Sequence, residues 1–233
     1  MTSGIPTVAT RPAAGGGDAL EAVLLDMDGT LVDTEGFWWD VEVAVFAELG
    51  HQLLEEYREI VVGGPMTRSA AFLIKATGAK IALAELTALL NTRFAEMIGS
   101  GVPLMPGAKR LLTELAAHDV PTALVSASHR HIIDRVLRTL GPEHFTLTVA
   151  GDEMERTKPH PDPYLLAAAR LGVAPERCAV VEDTMTGVTA AEAAGCRVVA
   201  VPSVGAIPPA AGRTVVRSLE EVDLRFLRSL VKA

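Results

Sequence analysis

Residues Ala22-Val23-Leu24-Leu25-Asp26-Met27-Asp28-Gly29-Thr30-Leu31 decide the fold. Four apolar residues run directly into two aspartates one residue apart, and a glycine and a threonine follow. So short an aliphatic run reads as a strand buried on both faces. Asp26 and Asp28 then stand at its C-terminal end, the edge at which open α/β sheets bind ligands. Two neighbouring carboxylates repel when both are ionised, so the pair implies a cation between them or a proton kept on one. Asp-Gly after a strand also makes an ordinary turn. The paired aspartates followed by a further apolar pair favour chemistry over a turn.

Composition narrows the classes. The chain has 233 residues, 49% hydrophobic and 21% charged, as expected of a globular protein of one large domain or a domain with an insert. Its net charge of -8, with no basic cluster, argues against nucleic acid and anionic membrane surfaces as partners. No apolar run approaches the ~18 residues of a membrane span. Cys178 and Cys196 are too few for a disulfide framework or a zinc site, and they fit reduced thiols of a cytoplasmic protein. Residues 1–18, rich in Gly, Ala, Thr and Pro, read as a disordered tail without the apolar core of a secretory signal.

Downstream of the opening stretch the hydrophobic period changes. Trp38, Val41, Val45, Phe46 and Leu49 fall at helical spacing, with Gly50 as a stop. Helices are expected over 53–62, over 70–76 with Thr67 or Ser69 as N-cap, and over 82–98. No convincing strand interrupts residues 37–102. From residue 103 short aliphatic strands alternate with helices. Strands are expected at 121–125, 145–150, 178–181, 198–201 and 214–216, with helices at 108–118, 131–140, 164–171 and 186–194. The fold class is therefore α/β: a Rossmann-like, mostly parallel sheet with right-handed crossovers, built from residues 19–36 and 103–233, with an all-helical cap inserted at 37–102.

Later strands also end in polar groups. Ser126 follows the strand at 121–125, and Glu182 and Asp183 follow the strand at 178–181. Parallel neighbours would bring these tips to one point beside Asp26 and Asp28. Asp26, Asp28, Asp183 and Glu182 form a hard oxygen set that suits Mg²⁺ and not zinc. Lys158 lies in Lys158-Pro159-His160-Pro161-Asp162, where prolines fix the loop. Its ammonium suits a phosphate oxygen or the charge of a neighbouring aspartate. Ser126 offers a hydroxyl and an N–H to a phosphate, without the Gly-x-Ser-x-Gly surroundings of a nucleophile. His129, His131 and His160 read as solvated loop or helix-start residues, and Phe37, Trp38 and Trp39 as packing.

Four stretches together resemble the haloacid dehalogenase superfamily, in the subfamily with a helical cap after the first motif. They are Asp26-Met27-Asp28-Gly29-Thr30, Val125-Ser126-Ala127-Ser128, Thr157-Lys158-Pro159-His160-Pro161-Asp162 and Val181-Glu182-Asp183-Thr184 with Gly187-Val188. The resemblance implies a Mg²⁺-dependent phosphatase acting on a small phosphorylated metabolite, a sugar or polyol phosphate by family analogy. It implies Asp26 as nucleophile forming an aspartyl-phosphate and Asp28 as general acid/base. Ser126, Ala127 and Lys158 would hold phosphoryl oxygens. Asp26, the Asp28 backbone carbonyl and Asp183 would bind the metal, with Glu182 as a ligand or behind the ligands. Members that cleave carbon–halogen bonds lack the second aspartate, so Asp28 points to phosphoryl transfer.

The resemblance also extends to β-phosphoglucomutase, whose relatives carry a histidine four residues after the equivalent of Thr34. Trp38 stands there instead, which disfavours a phosphosugar mutase. A phosphonatase would need a cap lysine, for which Lys75 and Lys80 qualify by location only. Gly63-Gly64-Pro65-Met66-Thr67-Arg68 is the expected cap loop, with Thr67 or Arg68 on the leaving group. A monomer or weak homodimer is expected.

Overall fold

The structure, a computed structural model, describes residues 20–61, 66–203 and 205–231. The expected tail and Gly63, Gly64 and Pro65 lie outside the described residues. Six strands form one parallel sheet: β1 (Ala22–Leu25), β2 (Thr122–Val125), β3 (Leu147–Val149), β4 (Cys178–Glu182), β5 (Arg197–Ala200) and β6 (Arg213–Val215). Their order is β3-β2-β1-β4-β5-β6. The chain moves outward from β1 on one side and resumes at β4 on the other. The strand order thus reverses at β1, which opens a crevice at its C-terminal end.

β1 is central because its side chains can be buried on both faces. All four of its residues are fully buried. Val23 and Leu25 join one core with Leu124, Val181 and Val199, while Ala22 and Leu24 join the other with Ala123, Val180 and Val198. That alternation is the two-residue period of a strand covered on both sides. The first core is covered by Leu111, Leu112 and Leu115 of α5 (Ala108–Ala117), by Ile132, Ile133 and Val136 of α6 (Arg130–Leu140), and by the terminal helix Leu224–Val231. The second takes Tyr164, Ala167 and Ala168 of α7 (Asp162–Leu171) and Val188, Ala190 and Ala191 of α8 (Met185–Ala193).

Between β1 and α5 the described residues contain no strand. They form α1 (Glu35–Glu48), a short helical stretch Glu55–Val61 in two pieces, α3 (Met66–Thr77) and α4 (Leu83–Met97), with α2 (Arg58–Val61) as the second piece of the short one. α4 packs against both α1 and α3, and Trp38 of α1 stacks on Phe94 of α4 at 3.5 Å between ring centroids.

Two local expectations need correction. The helix expected from residue 53 begins as a 3-10 turn at Glu55, because Leu54 is extended and exposed rather than on an apolar stripe. Thr67 and Ser69 do not cap α3: both lie within it, and the buried Ser69 hydroxyl donates instead to the Val61 carbonyl at 2.8 Å.

Candidate active site

The sheet register brings the polar tips together. Leu25 is level with Leu124 of β2 and Val181 of β4. Asp26, Val125-Ser126 and Glu182-Asp183 therefore emerge side by side at one end of three adjacent strands. Lys158 reaches this point from the loop before α7. Its buried ammonium donates to Asp26 Oδ1 at 2.5 Å, Glu182 Oε1 at 2.6 Å and the Val125 carbonyl at 2.8 Å, which uses all three of its protons.

Burial sets the electrostatics. It pushes the Asp26 carboxyl up to about 7, against the pull of Lys158 and with the repulsion of Glu182 and Asp28. Burial, then Asp26 and Glu182, also holds Asp183 well above the usual carboxylate range. Burial works against the Lys158 cation, but the two carboxylates outweigh it and keep the ammonium charged. Three buried carboxylates thus share one buried cation, an arrangement that favours either a proton or a further positive charge.

Glu182 has its own task. Oε1 accepts from Lys158 and from the Tyr164 hydroxyl at 2.6 Å, and Oε2 accepts from the Asp183 N–H at 3.2 Å and from Thr184. Both oxygens are taken up within the protein, so Glu182 is built as the holder of Lys158. Tyr164 also lies beneath the ammonium, with its ring centroid 5.1 Å from Nζ, a cation–π distance. Gly187 leaves room for this carboxylate: a Cβ there would stand 1.8 Å from Glu182 Oε1. Thr184 caps α8 by accepting the Gly187 N–H, which fixes the turn after β4.

Asp28 lies one step further out and is half-buried. Its Oδ1 accepts from Thr34 at 2.8 Å, and its Oδ2 from Ser128 at 2.8 Å and Ser126 at 3.3 Å. Three hydroxyls hold this carboxylate while it remains open to the cavity. Gly29, at φ +76°, turns the chain where a Cβ would meet Asp183 Oδ2 at 2.1 Å. On its other side, Asp183 shares the single Ser203 hydroxyl proton with Glu35, whose Oε1 is 2.6 Å from Ser203 Oγ.

These groups form the floor of a cavity of about 210 Å³, roofed by α1, α3 and α4. Asp26, Asp28, Ser126, Ala127, Lys158, Glu182 and Asp183 all line it. So do Trp38 and Trp39, which serve as cavity wall as well as packing. Of the cap pair, Thr67 faces the cavity, whereas Arg68 is exposed and does not line it, because the next position on α3 points around the helix. His129 lines the cavity beside the exposed His131; His160 instead lies outside, near Arg156 and Asp162. Lys75 and Lys80 are exposed and do not line it.

Tyr164, Ser203 and Thr157 were not evident from the sequence as site residues. Thr157 adjoins Lys158, and its buried hydroxyl has no partner among the described residues, so it is available to a bound group.

The carboxylate oxygens of Asp26, Glu182 and Asp183 lie within 4.8 Å of one another, a cluster able to hold a metal. A parallel sheet with this carboxylate cluster and a buried lysine at the C-terminal end of β1 defines the class. A family model described as haloacid dehalogenase-like hydrolase matches residues 20–195, and the chain belongs to that family.

Particular relatives sharpen the placement. Hexitol phosphatase A of Escherichia coli (strain K12) is 34% identical over 214 residues, covering 86% of this chain and 88% of that protein. A bifunctional riboflavin kinase/FMN phosphatase of Arabidopsis thaliana is 34% identical over 183 residues, or 78% of this chain; the chain spans about half (48%) of that longer relative. Among solved structures, CbbY from Rhodobacter sphaeroides in complex with phosphate superposes with a TM-score of 0.81 at 27% identity, covering 89% of this chain and 99% of that one. The chain lies on the phosphatase branch of the family, in the phosphoric monoester hydrolase class.

Proposed function

We propose that this protein is a Mg²⁺-dependent phosphatase that hydrolyses a small phosphomonoester, a sugar or polyol phosphate, through a phosphorylated Asp26. The observation that carries the reading is the pairing of Asp26 with Lys158 at 2.5 Å on the cavity floor, with Asp28 held separately by three hydroxyls. One carboxylate is neutralised and fixed, and the other faces the space where a leaving group would lie. Such a division suits a nucleophile and an acid/base.

The donor set fits Mg²⁺. It is all oxygen, it includes carboxylates whose charge Lys158 alone does not balance, and Gly29 keeps the space beside Asp183 free of a Cβ. Asp26, Asp183 and the Asp28 backbone carbonyl would hold the ion, with Glu182 behind them on Lys158. When bound, Mg²⁺ would offset charge on the phosphoryl oxygens.

The residues divide the reaction as follows. An Asp26 oxygen attacks phosphorus as the ester P–O bond breaks, and Asp28 gives its proton to the departing alkoxide. Asp28 then takes a proton from water, which attacks the same phosphorus and releases phosphate and Asp26. The Ala127 backbone N–H would hold a phosphoryl oxygen, and the Ser126 hydroxyl would do so in exchange for its long 3.3 Å contact with Asp28. Lys158, whose three protons are already taken, would act on the phosphoryl group through its charge or by giving up one of those acceptors. Lys158 also stabilises the charge that develops there. Thr67, which lines the cavity together with Met66 and Ser69 of α3, would meet the leaving group.

Cavity size supports a compact substrate. At about 210 Å³ the cavity is smaller than the roughly 300–1,000 Å³ of clefts that enclose drug-sized ligands. The name of the hexitol phosphatase relative supports a polyol phosphate. A phosphosugar mutase has less support, since Trp38 occupies the position of the mutase histidine and its ring is committed to Phe94. Among the described residues no helix is long and apolar enough to cross a membrane, and the two free thiols are buried, consistent with a reducing, cytoplasmic setting.

A phosphate-release screen over sugar, polyol and short organic phosphates tests the reading. At least one polyol or sugar phosphate should release phosphate with Mg²⁺, and EDTA should stop it. A hexose 1-phosphate should give free phosphate, not hexose 6-phosphate. No release from any member of the panel overturns the reading.

A further inference from the structure

The roof of the cavity contains two polar side chains that the proposed chemistry does not use. Glu42 of α1 is 3% exposed and lines the cavity. Asn91 of α4 is also 3% exposed and lines the cavity, and its Nδ2 is buried without a partner. A buried amide or carboxyl left unpaired costs free energy, so natural interiors rarely keep one. Here the unpaired Asn91 amide and the buried Glu42 carboxyl lie in adjacent helices and line one cavity.

Their placement is fixed by the helix contact. Glu42 lies one turn after Trp38, and Asn91 one turn before Phe94. The Trp38–Phe94 stack holds the two helices in register at that level. Around the pair the roof mixes apolar and aromatic side chains, Trp38, Trp39, Val61 and Met66, with the polar Glu35, Thr67 and Ser69. Few polar groups in an apolar wall are the usual source of ligand specificity.

We propose that Glu42 and Asn91 form a hydroxyl-recognition site that selects a polyhydroxylated leaving group, a polyol or sugar chain. This deepens the phosphatase reading above and rests on it. Burial pushes the Glu42 carboxyl up to about 8, so near neutral pH it is largely the acid, able to donate through O–H and accept through C=O. Asn91 adds an N–H donor. A ligand hydroxyl, which both donates and accepts, satisfies such a pair as an alkyl or aryl group cannot.

The test compares a hexitol phosphate with p-nitrophenyl phosphate, whose leaving group carries no additional hydroxyl. Glu42→Met and Asn91→Leu should each lower the ratio of kcat/KM for the hexitol phosphate to kcat/KM for the aryl ester by about ten- to a hundred-fold. Glu42→Gln, which keeps the shape and a donor, should fall between wild type and Glu42→Met. Thermal unfolding supplies the second readout: Asn91→Leu should melt at or above the wild-type temperature, because an apolar side chain replaces an amide whose Nδ2 is buried without a partner. An unchanged ratio in all three variants, or an Asn91→Leu that melts lower with its ratio unchanged, overturns the proposal in favour of a structural role. A wild-type enzyme that cleaves the aryl ester but no polyol or sugar phosphate also overturns it while leaving the phosphatase reading intact. If neither ester is cleaved, the phosphatase reading fails and takes this proposal with it.

Discussion

Asp26→Asn is expected to abolish turnover without unfolding the protein. The substitution keeps the shape of the side chain but removes the nucleophilic oxygen, so kcat should fall by at least about 10⁴-fold, the scale seen when a covalent nucleophile is removed. Stability should move the other way or not at all. Asp26 is a buried carboxyl whose ionisation is opposed by burial itself and by Glu182 and Asp28. Asn relieves that repulsion, and Lys158 retains Glu182 and the Val125 carbonyl as acceptors. Steady-state kinetics and thermal unfolding of the same preparation check both halves. Lost activity with a preserved melting temperature separates chemistry from folding; substantial residual turnover would remove Asp26 from the nucleophile's role.

Lys158→Met should show a different signature, losing both activity and stability. The ammonium is the common partner of Asp26 and Glu182 inside the protein. Taking away one member of a buried ion pair leaves uncompensated charge and costs about 3–5 kcal/mol. Methionine fills much of the volume, so the loss reports the charge more than a void. Adding Glu182→Gln should recover part of that stability by removing one of the stranded carboxylates, and it should recover no activity. Urea unfolding of the single and double variants measures the coupling. If Lys158→Met were as stable as wild type, Lys158 would not be the electrostatic keystone that these distances make it.

The sequence made β1 and its two aspartates legible because the signal is local. A short aliphatic run, the Asp-x-Asp spacing and the turn glycine all lie within ten consecutive residues. Ser126, Lys158 and Asp183 were also legible, since each sits at a strand end or a proline-fixed loop whose boundaries are written in nearby residues. The parallel sheet followed from the alternation of strands and helices, and Asp26, Ser126 and Asp183 do emerge together at its edge.

What was less legible depends on contacts across the fold. Tyr164 sits under Lys158 only because α7 runs back along the sheet, and Ser203 reaches Asp183 from the loop after β5. No short-range pattern marks either. Glu42 and Asn91 did leave a trace. Each places a polar group on a buried helical face, Glu42 between Trp39 and Phe46 on α1 and Asn91 at helical spacing from Phe94 and Ala95 on α4. A misplaced acid on a core face is a cost that the sequence shows, while its use appears only when the facing helix is known. Arg68 failed for the opposite reason, since a cation beside a glycine-proline break looks functional until the helix turns it to solvent.

The central claim is that phosphate passes through Asp26 in two displacements. The most direct measurement is the stereochemical course at phosphorus, using an isotopically chiral phosphorothioate monoester hydrolysed in labelled water. Each in-line displacement inverts the phosphorus centre. Two successive displacements through Asp26 predict net retention in the released thiophosphate. Net inversion would mean that water attacks the substrate directly, and it would contradict the account.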